Sequence, residues 1–537
     1  MRFKFWIIYG LLLLMFSASA IKMATVMVDR DIAVIGNSQG RKTITVASAR
    51  GTIYDRHLSP LVNADNQRYI AMTPDYENIR SLKPYMSSDS YRALLEKASD
   101  GMPLTAQIDS PITPRDGVLL FEGPVRYGKQ VLCAHLLGYT DSATGRGAYG
   151  LEKVYDDVLS QFSGSIKTTF ITNGIGLPVD NQTPTITNTI GNSEGGIVLT
   201  IDGEIQEMVD AVAEQYVQKG AVILMDAQNG EIVAMGSYPA FHPEQLQESL
   251  HDVNNPFMNR AISLYDCGSV FKIVTSIAAL ECGIPPERSF SCSGEYEVGD
   301  SLFHCHNREG HGFQNMETAF ANSCNIYYIK LAQEIGAEAM LKMMQTLKLD
   351  ESILLAREWE TSAALLPNAD DLSAEAALAN VSFGQGDLML TPLHATLLAG
   401  VIASGGNILS PSVVAGIIDG QGTIIEEAKR EGKTVISAGT VRILRSMMRR
   451  VVTDGTGVRA QGENVSIAGK TGTAETGQVN SAGYPVVQSW FTGYFPAEQP
   501  KYIITVLAED AQNTGADTLL LACEISNKVY ENNRNGD

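Results

Sequence analysis

Along this chain the spacing of apolar positions changes several times, and the changes mark its parts. From Phe5 to Ile21 no residue is charged, and Arg2 and Lys4 stand just before that run. As a helix the run would span roughly 26 Å, at the short end for a bilayer crossing. It reads as an uncleaved anchor with its basic end inside. The alternative is a cleaved signal peptide, for which Ala18-Ser19-Ala20 supplies a site. Either way, the rest of the chain lies outside the cytoplasm. Residues 23–195 mix short strand-like runs with polar loops, and the Gly- and Asn-rich text from Asn181 to Gly196 reads as a linker or surface loop.

From residue 196 the texture changes. "IVLTIDGEIQEMVDAVAEQYVQKG" predicts a strand, a cap at Asp202 and an amphipathic helix to about Val217. "AVILMDAQNGEIVAMGSYP" predicts a hairpin turning at Gln228-Asn229-Gly230. Residues 268–405 are mostly helical by their apolar spacing. After residue 464 come strands in "VSIAGKTGTAE", "VVQSWFTGYFP" and "KYIITVLAE", then a last helix in "DTLLLACEISNKVYEN". Strands at both ends around a helical block predict one α+β domain over 196–537, its sheet assembled from the two ends. The expected division is therefore a short cytoplasmic tail and anchor (1–22), an irregular non-catalytic domain (23–195) and this domain.

Composition narrows the function. The 537 residues suffice for two or three domains, and 44% hydrophobic with 19% charged residues is a globular balance. With 60 acidic against 40 basic residues the net charge is −20, which argues against a nucleic-acid partner. Seven cysteines leave at least one unpaired in a monomer, and most read as small buried apolar residues.

The chemistry-bearing residues come in three groups. Ser269 precedes Lys272 by one helical turn, which makes their side chains neighbours. A serine becomes a nucleophile when a base takes its proton, and a desolvated lysine is such a base. Ser323-Cys324-Asn325 and Lys470-Thr471-Gly472-Thr473 follow. In this order the three match the active-site motifs of the penicillin-binding proteins and serine β-lactamases. Lys470 is then the second cation that lowers Lys272. Ser323 relays a proton to the leaving amine and Asn325 holds the substrate amide. The Lys470–Thr473 strand pairs with substrate backbone, Gly472 leaving room. The resemblance assigns the oxyanion hole to the N–H groups of Ser269 and Thr473.

"RGTIYDR" (Arg50–Arg56) and "GRGAYGLEKVYDDVL" (Gly145–Leu159) resemble two boxes of the non-catalytic module of class B penicillin-binding proteins. "HCHNREGHG", "FGQGDLMLTPLHA", "DGTG" and "SWFTGYFP" resemble stretches around the catalytic motifs, so the similarity covers nearly the whole chain. It implies a single-pass membrane D,D-transpeptidase of the elongation, division or sporulation type, its catalytic domain extracytoplasmic. Its substrates would be peptidoglycan stem peptides, releasing D-Ala through a Ser269 acyl-enzyme; β-lactams would acylate the same serine. A membrane glycosyltransferase would be its partner, with no metal or cofactor. The rivals are a D,D-carboxypeptidase, a β-lactamase and a catalytically silent penicillin-binding scaffold.

Two departures stand out: His57-Leu58 where the family has Asn-Gly, and Cys267-Gly268-Ser269 where it often has Pro-Gly-Ser. Cys292, His304, Cys305, His306 and His311 lie within 20 residues, enough ligands for zinc, but the spacing matches no standard finger. A Cys292–Cys305 disulfide ranks above a metal site there, and small buried apolar residues remain the reading for most of the cysteines.

Overall fold

The computed structural model describes residues 2–28, 40–113, 115–173, 175, 177–179, 182–427, 432–480 and 482–536. The uncharged N-terminal run lies within a helix from Arg2 to Val28. Its stretch Lys4–Thr25 has a mean hydropathy of 1.9 and is long and apolar enough to cross a membrane.

Two compact units follow from the packing, and neither is contiguous in sequence. One comprises Met1–Gly51, Val62–Gly128 and Gln161–Glu194; the other comprises Thr52–Leu61, Lys129–Ser160 and Gly195–Asp537. In the first, Asp65–Met72 is the middle strand of an antiparallel trio with Leu104–Ile108 and Val118–Val125. Its buried side chains Ile70 and Met72 pack with Leu82, Leu94 and Leu104. A second trio joins Arg41–Ala49, Gly164–Ile171 and Thr185–Asn188. That last strand falls in the segment expected to be linker, whose Asn181 lies outside the described residues. Polar Gly- and Asn-rich flanks hide the β-branched run Thr185-Ile186-Thr187.

Among the described residues the second unit holds a four-stranded and a five-stranded sheet besides several two-stranded ones. In the four-stranded one, β1 (Thr52–Tyr54) pairs in parallel with β2 (Gly196–Leu199), which also pairs with β5 (Val414–Ile418). The Arg-Gly-x-Ile-x-Asp-Arg box thus supplies a strand here. Its Asp55 carboxylate accepts from the N–H of His57 and Ser59, both at 2.8 Å, and from Gly203 at 3.2 Å. Gly203 opens α1 (Gly203–Tyr216), whose N-cap Asp202 accepts from Ile205 N–H as expected. Arg56 is ion-paired to Glu231. Leu58, at the departure from Asn-Gly, takes φ 63° and is half exposed. A β-branch-free L residue in that region costs roughly 1–2 kcal/mol, and glycine does not. Leu58→Gly should therefore raise the thermal midpoint of the full-length protein by about 1 °C, since the extra freedom of unfolded glycine offsets part of the relief. A fall would mean that Leu58 packs more than it strains.

The larger sheet runs β4-β3-β8-β7-β6, all neighbours antiparallel. Its members are β3 (Gly220–Asp226), β4 (Ile232–Tyr238), β6 (Ala468–Val479), β7 (Pro485–Phe495) and β8 (Tyr502–Ala508). The predicted hairpin β3–β4 meets β8 through register pairs such as Val222↔Val506, so the sheet is assembled from the two ends. On one face Val209 and Val212 of α1 and Leu521 and Ile525 of α5 (Thr518–Gly536) bury Leu224, Phe491 and Ile504. On the other lies α4 (Pro392–Ala403), whose Gly400 comes close to Ile503 and Met225. The block expected to be mostly helical contains α2 (Lys272–Glu281), α3 (Asn325–Thr346, broken at Gly336) and α4, but also short hairpins. Phe290–Cys292 pairs with Gly312–Gln314, Glu295–Val298 with Ser301–His304, and Ile353–Ala356 with Trp359–Thr361. Strands of three or four residues are too short to show a period of two.

Candidate active site

The three motifs, far apart in sequence, meet in the second unit. Ser269 sits in a 3-10 turn, Gly268–Phe271, that feeds directly into α2. Lys272, the first residue of α2, is fully buried, and its Nζ lies 3.0 Å from Ser269 Oγ. The same amine donates to Ser323 O at 2.6 Å and Asn325 Oδ1 at 2.7 Å, and lies 3.2 Å from Ser323 Oγ. Ser323, at φ 51°, turns the chain between Met316–Ala321 and α3 so that both its oxygens face the lysine.

Lys470 on β6 approaches from the other side. Its fully buried Nζ is 3.1 Å from Ser323 Oγ and 2.8 Å from Thr471 O. One hydroxyl therefore lies between two buried amines, the arrangement needed to pass a proton. Burial pushes Lys272 down to about 7, against the opposing influence of Cys324 and Cys305. Lys470 is pushed well below its ordinary range, first by burial and then by the charge of Lys272. The sequence reading made Lys470 the cation acting on Lys272. In the structure burial is the first cause for both, and the charge of Lys272 is a second cause acting on Lys470.

β6 is the edge strand of its sheet, with Thr471 half-buried and Thr473 exposed. An edge strand offers unpaired N–H and C=O groups to an extended peptide. A Cβ on Gly472 would come 2.8 Å from Val270 Cγ2 and 3.0 Å from Cys267 O. The missing side chain thus lets β6 lie against the Ser269 turn. A Cβ on Gly268 would lie 2.4 Å from Thr473 O, so the backbones of Ser269's turn and Thr473 are adjacent. That adjacency fits the two N–H groups expected to hold an oxyanion.

Some members of the site were not singled out in the sequence. Thr456, within the "DGTG" stretch, makes a 2.7 Å hydroxyl contact with Thr471. Trp490 Nε1 donates to Asp266 O at 3.0 Å, tying β7 to the strand before the nucleophile. Asn325 Nδ2 donates to His304 O at 3.2 Å, which orients the amide so that Oδ1 faces Lys272. The motif stretches signalled the first two; nothing local signals a backbone carbonyl.

The cysteine and histidine residues regroup. All seven thiols are free in the structure, Cys292 and Cys305 among them. Cys292, Cys305 and His311 converge with Cys324, the middle residue of the second motif, all donor atoms lying within 4.8 Å of one another. His304 is not among the four; His306 stands beside them, its Nδ1 4.0 Å from Cys305 Sγ and its ring 5.1 Å from that of His311. These four could hold a tetrahedral ion. The Cys324 thiol beside Cys305 holds the Cys305 thiol well below its ordinary range.

A nucleophile, a buried base, a relaying hydroxyl and an edge strand on an α+β frame define a serine acyltransferase of the penicillin-interacting kind. The family described as penicillin binding protein transpeptidase domain matches residues 220–531. The chain belongs to that family, among its class B members. It is 25% identical to stage V sporulation protein D of Bacillus subtilis over 96% of this chain and 82% of that one. It is 26% identical to peptidoglycan D,D-transpeptidase MrdA of Acinetobacter baumannii over 90% of this chain and 80% of that one. Two solved structures share the fold with a TM-score of 0.66. One is penicillin-binding protein 3 of Mycobacterium tuberculosis complexed with aztreonam, at 24% identity, covering 92% of this chain and 97% of that one. The other is the complex of penicillin-binding protein 2 with MreC from Helicobacter pylori, at 22% identity, covering 91% and 99%.

Proposed function

We propose that this chain is a serine D,D-transpeptidase that cross-links peptidoglycan stem peptides through an ester on Ser269. The observation that carries it is the placing of Ser323 Oγ between two buried amines, with Lys272 in reach of Ser269. Neutral Lys272 takes the Ser269 proton as Oγ attacks the carbonyl of the penultimate D-Ala. The oxyanion rests on the N–H groups of Ser269 and Thr473. The departing D-Ala nitrogen receives a proton through Ser323, resupplied by the lysine pair, and the C–N bond breaks. An amine from a second stem then attacks the ester, restoring Ser269. Asn325 and the edge of β6, from Lys470 to Thr473, hold the donor peptide extended. The N-terminal helix anchors the chain, with the catalytic unit on the extracytoplasmic side. A membrane glycosyltransferase is the fitting partner, in keeping with a solved relative captured in a peptidoglycan synthase complex.

Intact mass of the full-length protein in detergent, followed for hours with benzylpenicillin, tests this reading. One persistent adduct per chain, absent from Ser269→Ala, is expected. An adduct that vanishes within seconds while drug is consumed would make the chain a β-lactamase, and no adduct would leave a silent scaffold. Release of D-Ala from stem pentapeptide without transfer to an added amine would mark a carboxypeptidase.

A further inference from the structure

The double hairpin between the first and second motifs, Phe290 to Gln314, is packed on one side only: Val298 and Phe303 are buried, and Phe303 and Phe290 meet the rings of Phe383 and Tyr327. Its strands are three or four residues long, and Leu302 and Phe313 point outward, 51% and 83% exposed. At its base Cys292 and Cys305 are 2% and 1% exposed, and Cys324 of the neighbouring turn is 0% exposed. His311 Nδ1 lies 3.7 Å from Cys292 Sγ and 3.5 Å from Cys305 Sγ, and the sulfurs of Cys305 and Cys324 are 4.0 Å apart. Four ligands on a tetrahedral zinc, with bonds of about 2.3 Å to sulfur and 2.0 Å to nitrogen, stand roughly 3.5–3.8 Å from one another. The observed spacings already approach that figure.

We infer that Cys292, Cys305, His311 and Cys324 bind one zinc ion, which pins the double hairpin to the Ser323–Asn325 turn. Three thiolates and an imidazole form a closed structural set, soft enough to prefer zinc over calcium or magnesium. On binding, the thiols give their protons to solvent and each sulfur donates an electron pair to the ion. A Cys305–Cys324 disulfide is the competing fate of the cluster. It would use two of the four donors and leave Cys292 facing the half-buried His311 with no part in the link. This departs from the expectation that no metal is needed.

The ion would touch no substrate; its effect is one of position. Cys324 stands between Ser323 and Asn325, and Cys305 follows His304, whose carbonyl orients the Asn325 amide. One ion therefore fixes both ends of the contact that aims Asn325 Oδ1 at Lys272. The positioning role presupposes the Ser269 mechanism; metal binding does not.

The test uses untagged full-length protein, purified in detergent under reducing conditions and without chelator. Elemental analysis should find one zinc per chain, retained in Cys282→Ser and Cys523→Ser and lost in Cys292→Ser and His311→Ala. Should those variants fail to fold, the wild type decides. Chelation should expose Cys292, Cys305 and Cys324 to alkylation, and added zinc should protect them again. Cobalt in place of zinc should give thiolate charge-transfer and tetrahedral d–d absorption. The chelated protein should acylate about tenfold more slowly at unchanged adduct stoichiometry, as for a displaced supporting group. Less than a tenth of an equivalent of zinc after supplementation overturns the proposal. So does a Cys305–Cys324 disulfide in freshly reduced and re-purified protein.

Discussion

Replacing Lys272 by methionine should slow acylation by benzylpenicillin about a thousandfold while leaving the protein folded, and more stable than the wild type. The rate loss follows from geometry. Lys272 Nζ lies 3.0 Å from Ser269 Oγ, and removing a positioned base costs on the order of 10²–10⁴ in rate. The stability gain follows from burial. Lys272 binds its proton below about 7 in the fold and below about 10.5 in the unfolded chain. Between those values the unfolded state holds more protons, so stability rises with pH through that window and the penalty is complete below it. Methionine has neither the amine nor the penalty, so the slope should become shallower, the remainder coming from Lys470. The wild-type acylation rate should rise with pH and level off above about 7, as the neutral amine is the base. The methionine variant should lose that limb. Stopped-flow acylation across pH 5.5–9, beside denaturation midpoints at the same pH values, reads both. An unchanged pH profile in the variant would transfer the base role to Lys470.

That lysine shows what a sequence can and cannot carry. The spacing of Ser269 and Lys272 is local, and one turn of helix delivers the contact. Asp202 as a cap and Asn229-Gly230 as a hairpin turn are likewise local and stand in the structure as expected. The α+β class was legible because strands bracket helices, and β3, β4 and β6 to β8 do come from the two ends. The direction of influence between Lys272 and Lys470 was not legible, because it depends on how deeply each amine is buried. Nor was the placement of Cys324. Its neighbours Cys292, Cys305 and His311 arrive over a double hairpin whose strands are too short to predict. The Arg50–Arg56 box was legible as a motif, but not as a strand and a cap in the second unit, since parallel pairing with Gly196–Leu199 leaves no local pattern. Gly472 was read as clearance for substrate. Its nearest neighbours are Val270 and Cys267 O, and that close approach is visible only once the strand lies on the turn.

The same close approach makes Gly268 a position where a single methyl group should displace the active site. Its φ is +51°, and a Cβ there would fall 2.4 Å from Thr473 O and 2.9 Å from Thr473 C. Both are backbone atoms of a sheet strand and have no rotamer to escape into. Gly384 presses on the same residue from elsewhere, since its own Cβ would lie 1.8 Å from Gly268 O. Gly268→Ala must then push β6 away from the nucleophile turn, at about 2–4 kcal/mol for the left-handed backbone and the overlap together. An oxyanion hole opened by even part of an ångström loses donors worth about 10²–10³ in rate. Gly283 provides the control. Its φ is +82°, but nothing lies within 4 Å of its Cβ direction. Gly283→Ala should therefore cost only about 1 kcal/mol and leave acylation intact. Thermal midpoints and second-order acylation rates of the two variants separate backbone strain, which they share, from displacement of β6, which only Gly268→Ala imposes. Equal acylation rates in the two would mean that Thr473 does not serve the oxyanion from where it stands.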